Sequence, residues 1–592
     1  MNNFVKSFLA CLLAIFVSSV LNILFWIILI FVVIGGTISN YEKISLKPRT
    51  ILEIDLSASL PDKTSSNPLD EINFSTFKIK KSITLWDAVS LIKNAKDDPN
   101  IEGIYLSAGT GMQTPVSSLY ELREALDDFR QSGKYVIAYA DTYTQGSYFV
   151  ASVADKVYLN PQGSFNWNGM SSTAIFVKGT LDKLGIEPEI IRYGKFKGAI
   201  EPLILTKLSD ENRLQTESML ASMWGYVVEK VSQSREIPTE KLQEYASTLA
   251  IAFPADALRL GLVDELKYSD ELSQELARMC DEDEPRLITL NQYKSVAPLA
   301  GSGDILSGDK VALLYAQGEI YDEGDKNKMI IGNELADELR ELRKDENVKA
   351  VVVRVNSPGG SVLASDIIWR EMLLMQQTKP LIISMGEYAA SGGYYISCPA
   401  DVIFAAPTTL TGSIGVFGVL LNVEKGAREK LGITTDIVRT NPMADAGNIF
   451  RPLTAFERAK MQTGVDSTYN RFVELVASGR DMSFAQVDDI AQGRVWSGLQ
   501  GVENGLVDKV GTLKDAIAEA ASRAALTSYR IETFPKTEDS FGSLFSTMLS
   551  SGAKLAGGLI GIKEQIETET EQFVRQNQGV KAKMETKLVV GF

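Results

Sequence analysis

The order of elements in the first half of this chain returns in the second, and few folds satisfy that constraint. Asn100-Ile101-Glu102-Gly103 recurs as Asn347-Val348-Lys349-Ala350, and Ala154-Asp155 recurs as Ala400-Asp401, with Pro161 matched by Pro407. Leu184-Gly185-Ile186 becomes Leu431-Gly432-Ile433, and Gly261-Leu262-Val263-Asp264 becomes Gly505-Leu506-Val507-Asp508. Leu184 and Leu431 stand 247 residues apart, and the other matches drift from that offset by only a few residues. Ordered matches at one offset indicate a tandem duplication whose unit is far larger than a solenoid repeat. Within the first copy the pattern alternates. Strands are expected at Thr50–Leu56, Gly103–Leu106, Tyr135–Ala140 and Lys156–Leu159, with helices at Leu85–Lys96, Leu119–Gln131 and Ser147–Ser152. In the second copy Val311–Tyr315 matches the first strand. Such alternation predicts an α/β fold in which crossover helices cover a parallel sheet. A chain of 592 residues holds two to four units of ordinary size.

A duplication lets each copy be read against the other. Leu381–Met385 is an apolar run of strand type, followed by Ala389-Ala390-Ser391-Gly392-Gly393 opening a helix through Ile396. A serine at a strand-to-helix turn lifts its hydroxyl out of the sheet beside free backbone N–H groups. Just upstream, the buried strand Val351–Val355 ends in Asn356-Ser357-Pro358-Gly359-Gly360, whose glycines allow close backbone approach. A nucleophile beside oxyanion donors points to acyl transfer, with N–H groups of Gly359 or Gly360 and of Gly392 as the donors. Ser357 and Ser361 read as turn and helix-cap residues, and Asp366 and Glu371 as solvent-facing helix positions. The first copy has Gln145 in place of Ser391, and Ala108-Gly109-Thr110-Gly111 in place of Ser-Pro-Gly-Gly. It does carry Tyr193-Gly194-Lys195-Phe196-Lys197-Gly198-Ala199, where the second copy has Thr440–Ala446 without a lysine. The chain contains no histidine, which removes Ser-His-Asp and Cys-His machinery and leaves lysine as the base. Lys197 and Lys195 both qualify on residue type. Each copy supplies what the other lacks, so a joint site at their boundary is expected.

Between Lys6 and Glu42 there is no charged residue, and Phe8–Ile34 is almost entirely apolar. At about 1.5 Å per residue this run spans a hydrocarbon core of roughly 30 Å. It exceeds a signal-peptide core and no A-x-A site follows, so an uncleaved membrane anchor is expected. Charges flanking it do not fix its orientation. A net charge of −15 without a basic run argues against nucleic acid. Cys11, Cys280 and Cys398 imply neither a disulfide framework nor a zinc site, and no cofactor or metal is called for. From these boundaries the chain divides into an anchor (1–45), a copy over 46–295, a copy over 305–525 and a tail (526–592). The tail, with its partial apolar stripe at Phe541, Leu544, Phe545, Met548 and Leu549, reads as a flexible or subunit-packing segment.

Arg354-Val355-Asn356-Ser357-Pro358-Gly359-Gly360-Ser361, Ala389-Ala390-Ser391-Gly392-Gly393-Tyr394 and Leu410-Thr411-Gly412-Ser413-Ile414-Gly415 together resemble the signal peptide peptidase A (protease IV) family in its long, duplicated form. Glu201-Pro202 and Gly493-Arg494-Val495-Trp496-Ser497-Gly498 fit the same pattern, and the likeness runs from the anchor to about residue 525. The resemblance implies two tandem ClpP/crotonase-like domains behind one transmembrane helix. It also implies a Ser-Lys endopeptidase in the inner membrane, single-pass, with its catalytic domains outside the cytoplasm. Such enzymes assemble as homo-oligomers (tetramers in the long form) and degrade signal-peptide remnants and other hydrophobic peptides. Carried over by position, the nucleophile is Ser391 and the base is Lys197 rather than Lys195. Ser413, in the glycine-rich loop Thr411–Gly415, is expected to accept a hydrogen bond from that lysine and orient it. Two other classes share the fold: a crotonase-type acyl-CoA enzyme, and a non-catalytic membrane scaffold on a decayed protease.

Overall fold

The computed structural model describes residues 46–536, apart from 64–71, 74–77, 80–82, 110–113, 298–306 and 326. It also describes Ser18 and the backbone of Gly579–Lys583 and Val589–Gly591. Apart from Ser18, the proposed anchor Phe8–Ile34 lies outside the described residues, as does most of the tail. Among the described residues no helix is long and apolar enough to cross a membrane.

The first copy builds β1 (Thr50–Asp55), α1 (Leu85–Asp97), β2 (Ile101–Ala108), α2 (Val116–Arg130), β3 (Tyr135–Tyr143) and β4 (Lys156–Phe165). These four strands are parallel in the order β1-β2-β3-β4, flanked by Leu287–Thr289 beside β1 and Glu265–Leu266 beside β4. β5 (Glu187–Tyr193) and the long helix α3 (Asp210–Arg235) follow. The second copy repeats the plan with β6 (Lys310–Gln317), α4 (Gly332–Lys344), β7 (Val348–Ser357), β8 (Gly359–Ser361), α5 (Val362–Gln376) and β9 (Leu381–Ala390). Its sheet runs Arg530–Phe534, β6, β7, β9, then β10 (Leu410–Gly412) and the antiparallel β12 (Val495–Ser497). β7 is buried on both faces, as a central parallel strand must be, and its Val351-Val352-Val353 run is the signature of that environment.

The repeat read from sequence is a repeat of hydrogen bonds. Asp155 Oδ2 accepts the Val136 N–H at 2.8 Å, and its counterpart Asp401 Oδ2 accepts the Leu381 N–H at 2.8 Å. Asp264 Oδ2 accepts from Val157 and Asp508 Oδ2 from Ile403, each at 2.7 Å. Tyr148 donates its hydroxyl to the Leu262 carbonyl just as Tyr394 does to that of Leu506. The Ala-Asp and Val-Asp matches are therefore carboxylates that cap unpaired strand N–H groups, which would otherwise be costly to bury.

A third, composite sheet joins the copies. β5 of the first copy pairs antiparallel with β11 (Val416–Asn422) of the second, from Tyr193 opposite Val416 to Glu187 opposite Asn422. β13 (Gly579–Lys583) lies on the far side of β11 and pairs antiparallel with β8 as well. One reading needs correction. Glu371 is buried between Arg340 and Arg343 of α4 rather than facing solvent, because α5 lies against that helix. Asp366 keeps a partly exposed place on α5, where it accepts from the Tyr395 hydroxyl and from Arg471.

Candidate active site

Ser391 stands where β9 gives way to the short helix Gly392–Ser397. The turn is sharp: Ser391 has φ 56° and ψ −116°, a backbone conformation that L-residues avoid and that sites tend to conserve as strain. Its N–H donates to the Gly412 carbonyl at 2.8 Å and its carbonyl accepts from Tyr395 at 2.8 Å. The glycines after it are required by packing. A Cβ at Gly393 would fall 2.4 Å from the Ser357 carbonyl oxygen, and one at Gly392 would press on the Gly359 Cα and Gly360 N. Gly392 and the Gly359-Gly360 strand are thus in direct contact. The Gly359 N–H donates to Ser357 Oγ at 3.2 Å, and Ser361 caps α5 by accepting from the Ala364 N–H.

The lysine arrives from the other copy. Lys197 follows β5 in a loop clamped across the boundary: the Phe196 N–H donates to the Gln492 carbonyl, and Gln215 of α3 donates to the Phe196 carbonyl at 3.0 Å. Gln215 Oε1 in turn accepts the Val495 N–H at 3.0 Å. Beneath the loop, buried Glu201 accepts from the Ser209 N–H and from Asn212 Nδ2. Room for the lysine is made by missing side chains: a Cβ at Gly493 would fall 2.7 Å from the Lys197 Cβ, and one at Gly415 would fall 3.3 Å from its Cδ.

Lys197 Nζ lies 2.8 Å from Ser391 Oγ, 2.9 Å from the Ser413 carbonyl oxygen and 3.0 Å from Ser413 Oγ. All three residues are fully enclosed: Ser391 is 0% exposed, Lys197 1% and Ser413 1%. Burial alone holds the Lys197 pKa well below the usual lysine range, since no carboxylate acts on it. The partner set suits an uncharged amine. Two N–H groups are directed to the Ser413 oxygens, and the lone pair is left for the Ser391 hydroxyl. Lys195, by contrast, is exposed with its ammonium over the Phe196 ring. Gln145, at the matching place in the first copy, ties down a turn by accepting from Asn168 and Gly169.

Reading the residues alone passed over Gln215, Gln492 and Asp62. Each joins the two copies, Gln215 to Val495, the Gln492 carbonyl to Phe196, and Asp62 to Arg354 and Asn356, so no local spacing marks it.

The sequence profile of Peptidase family S49 matches residues 128–281 and 374–527, two segments displaced by 246 residues, and that of Clp protease matches 307–410. Protease 4 of Salmonella typhi is 35% identical over 543 residues, covering 88% of this chain and 86% of that protein. Protease 4 of Haemophilus influenzae is 34% identical over 575 residues, with 92% and 91% covered. A putative signal peptide peptidase SppA of Enterococcus faecium is 36% identical over 242 residues, covering 40% of this chain and 70% of that protein.

Proposed function

Because this chain belongs to peptidase family S49, and is a serine peptidase of duplicated, ClpP-like α/β fold, we propose that Ser391 is its nucleophile and Lys197 its general base. The observation that carries this reading is the 2.8 Å approach of a buried amine from one copy to a buried hydroxyl from the other. Ser391 Oγ attacks the scissile carbonyl while its proton passes to Lys197 Nζ. The oxygen of the tetrahedral intermediate is held by N–H groups of the Gly359-Gly360 strand and of Gly392, with Gly360 and Gly392 the better placed because Gly359 is turned onto Ser357. Lys197 returns the proton to the leaving amine, then activates the water that releases the acyl group. Ser413 holds the amine in line throughout.

The substrates of this reading are cleaved signal peptides and other hydrophobic peptides; the Enterococcus relative is named a putative signal peptide peptidase. Two features suit them. β8 and β11 are spaced to take an extended chain between them by antiparallel pairing, the place held here by Gly579–Lys583. An apolar cluster of Met219, Met223, Ala390 and Leu410, with Met170, Tyr388 and Val495 against it, adjoins the serine. The chain works from a membrane through Phe8–Ile34, its catalytic copies on the extracytoplasmic side and assembled as a homotetramer.

A serine-directed fluorophosphonate tests the assignment in the intact protein. The expected result is one adduct per chain, on the peptide bearing Ser391. No adduct, or one on another serine, overturns it.

A further inference from the structure

We propose that Asp62, in the first copy, is a positioning residue for the nucleophile, acting through Asn356 on the shape of β9 immediately before Ser391. This rests on the reading of Ser391 as nucleophile. The ladder between β7 and β9 is not continuous: Val355 faces Met385, but Ser357 faces Ala389. One residue of β7, Asn356, therefore opposes three of β9, Gly386, Glu387 and Tyr388, and the strand bulges two residues before it re-enters register at Ala389. Ser391 follows within two residues, so the bulge sets where its hydroxyl lies.

Asn356 replaces the lost ladder. Its Oδ1 accepts the Tyr388 N–H at 3.2 Å, while its backbone carbonyl accepts from Gly318 at 3.0 Å. A Cβ at Gly386 would meet the Asn356 side chain at 3.0 Å, so the amide fills the bulge. An amide can sit there in two orientations, and only one presents oxygen to Tyr388. Asp62 makes the choice. Its Oδ2 accepts from Asn356 Nδ2 at 3.0 Å, forcing the amide oxygen toward β9. Asp62 Oδ1 accepts from Arg354 Nε at 3.1 Å, and Arg354 also donates to Ser384 Oγ and to the Met385 carbonyl, the last residues of β9 before the bulge. Asp62 and Arg354 are buried, 7% and 2% exposed. Since Asn356 also leads directly into the Gly359-Gly360 strand, one carboxylate from the first copy governs both the serine and the oxyanion donors. The first copy then contributes two groups to the site, the base and this brace.

The exchange of amide and carboxylate tests it. In Asp62→Asn the single amide oxygen goes to the donor-only Arg354 guanidinium, which leaves the NH2 against Asn356 Nδ2, so the Asn356 amide must turn and Tyr388 loses its acceptor. We expect kcat per phosphonate-titrated site to fall about 30- to 100-fold with KM changed less than about threefold, in keeping with the cost of a small misplacement of reacting groups. Asp62→Asn with Asn356→Asp restores every donor-acceptor pair with the roles exchanged, and kcat is expected to return to within about fivefold of the original. An unchanged kcat in Asp62→Asn, or a loss that the exchanged pair does not recover, overturns the proposal. Should Asp62→Asn fail to fold, the exchanged pair decides alone by the same threshold. Ser391→Ala is the control: if it retains turnover, the nucleophile assignment has failed, whereas an inactive Ser391→Ala beside a fully active Asp62→Asn removes only the role of Asp62.

Discussion

Lys197→Met is expected to lower kcat by about 10⁴- to 10⁶-fold while leaving the protein folded, a loss of the size seen when one member of a nucleophile–base unit is removed. Methionine matches the lysine stem in length and fits an enclosure that already excludes water, so the space made by Gly415 and Gly493 stays filled. What disappears is the lone pair beside Ser391 Oγ. The two Ser413 oxygens also lose their donor, a cost of about 1–3 kcal/mol that offsets part of any gain in stability. The diagnostic is therefore the slope of stability with pH. Burial lowers the Lys197 pKa in the folded protein, whereas in the unfolded chain it returns to about 10.4. Between those two values the unfolded chain binds a proton that the folded one does not, so the native protein gains stability as pH rises through that window. Lys197→Met removes this gain. Chemical denaturation at neutral pH and near pH 10 should show a smaller rise for the variant than for the parent. An equal rise would mean that the lysine is charged in the fold.

Arg354→Ala should cost about 3–5 kcal/mol, the range for stripping one partner from a buried ion pair. The Arg354 guanidinium lies 3.0 Å from Asp62 and 2.7 Å from Glu121, both carried by the first copy, while Arg354 itself is in β7 of the second. Glu121 also accepts the Leu513 N–H, so the cluster ties α2 to the far end of the second copy. Without the cation, two carboxylates remain enclosed at the boundary. Burial already raises the Glu121 pKa even with Arg354 present. A carboxyl raised in the fold binds a proton that the unfolded chain lacks, so its contribution to stability falls as pH rises through the interval above about 4.3. Arg354→Ala is accordingly expected to be least damaging near pH 5 and most damaging near pH 8. Denaturant titration followed by circular dichroism at both values checks it, and a variant as stable as the parent at pH 8 would show the cluster to be energetically idle.

Much of this architecture is legible in the sequence because its strongest signals are local. Val351–Val355 and Leu381–Met385 are apolar runs bounded by turn residues, and they are strands here. Ser391 stands out through its small neighbours and through Gln145 at the matching place in the first copy. Other features are settled by tertiary contact. Nothing local separates Lys195 from Lys197; enclosure does, since one is exposed and the other buried beside Gly493. β9 runs to Ala390, five residues beyond its apolar core, because Asn356 and Thr409 replace the ladder across the bulge, the latter by donating to the Gly386 carbonyl. Glu371 looks like a surface residue until α4 is laid against it with two arginines. Asp62 sits in a polar, turn-rich stretch and shows no sign of its partners, which lie 292 and 294 residues further along.

The account depends on an amine that is uncharged at working pH and takes the proton of Ser391. The rate at which a fluorophosphonate modifies Ser391, followed across pH in the parent and in Lys197→Met, measures that directly. The expected profile rises tenfold per pH unit through a single ionisation well below 10.4, the ordinary value for lysine, and then levels. In Lys197→Met that limb should be gone and the rate lower throughout. A limb that persists unchanged in the variant, or one centred near 10.4 in the parent, would contradict the assignment of Lys197 as the base.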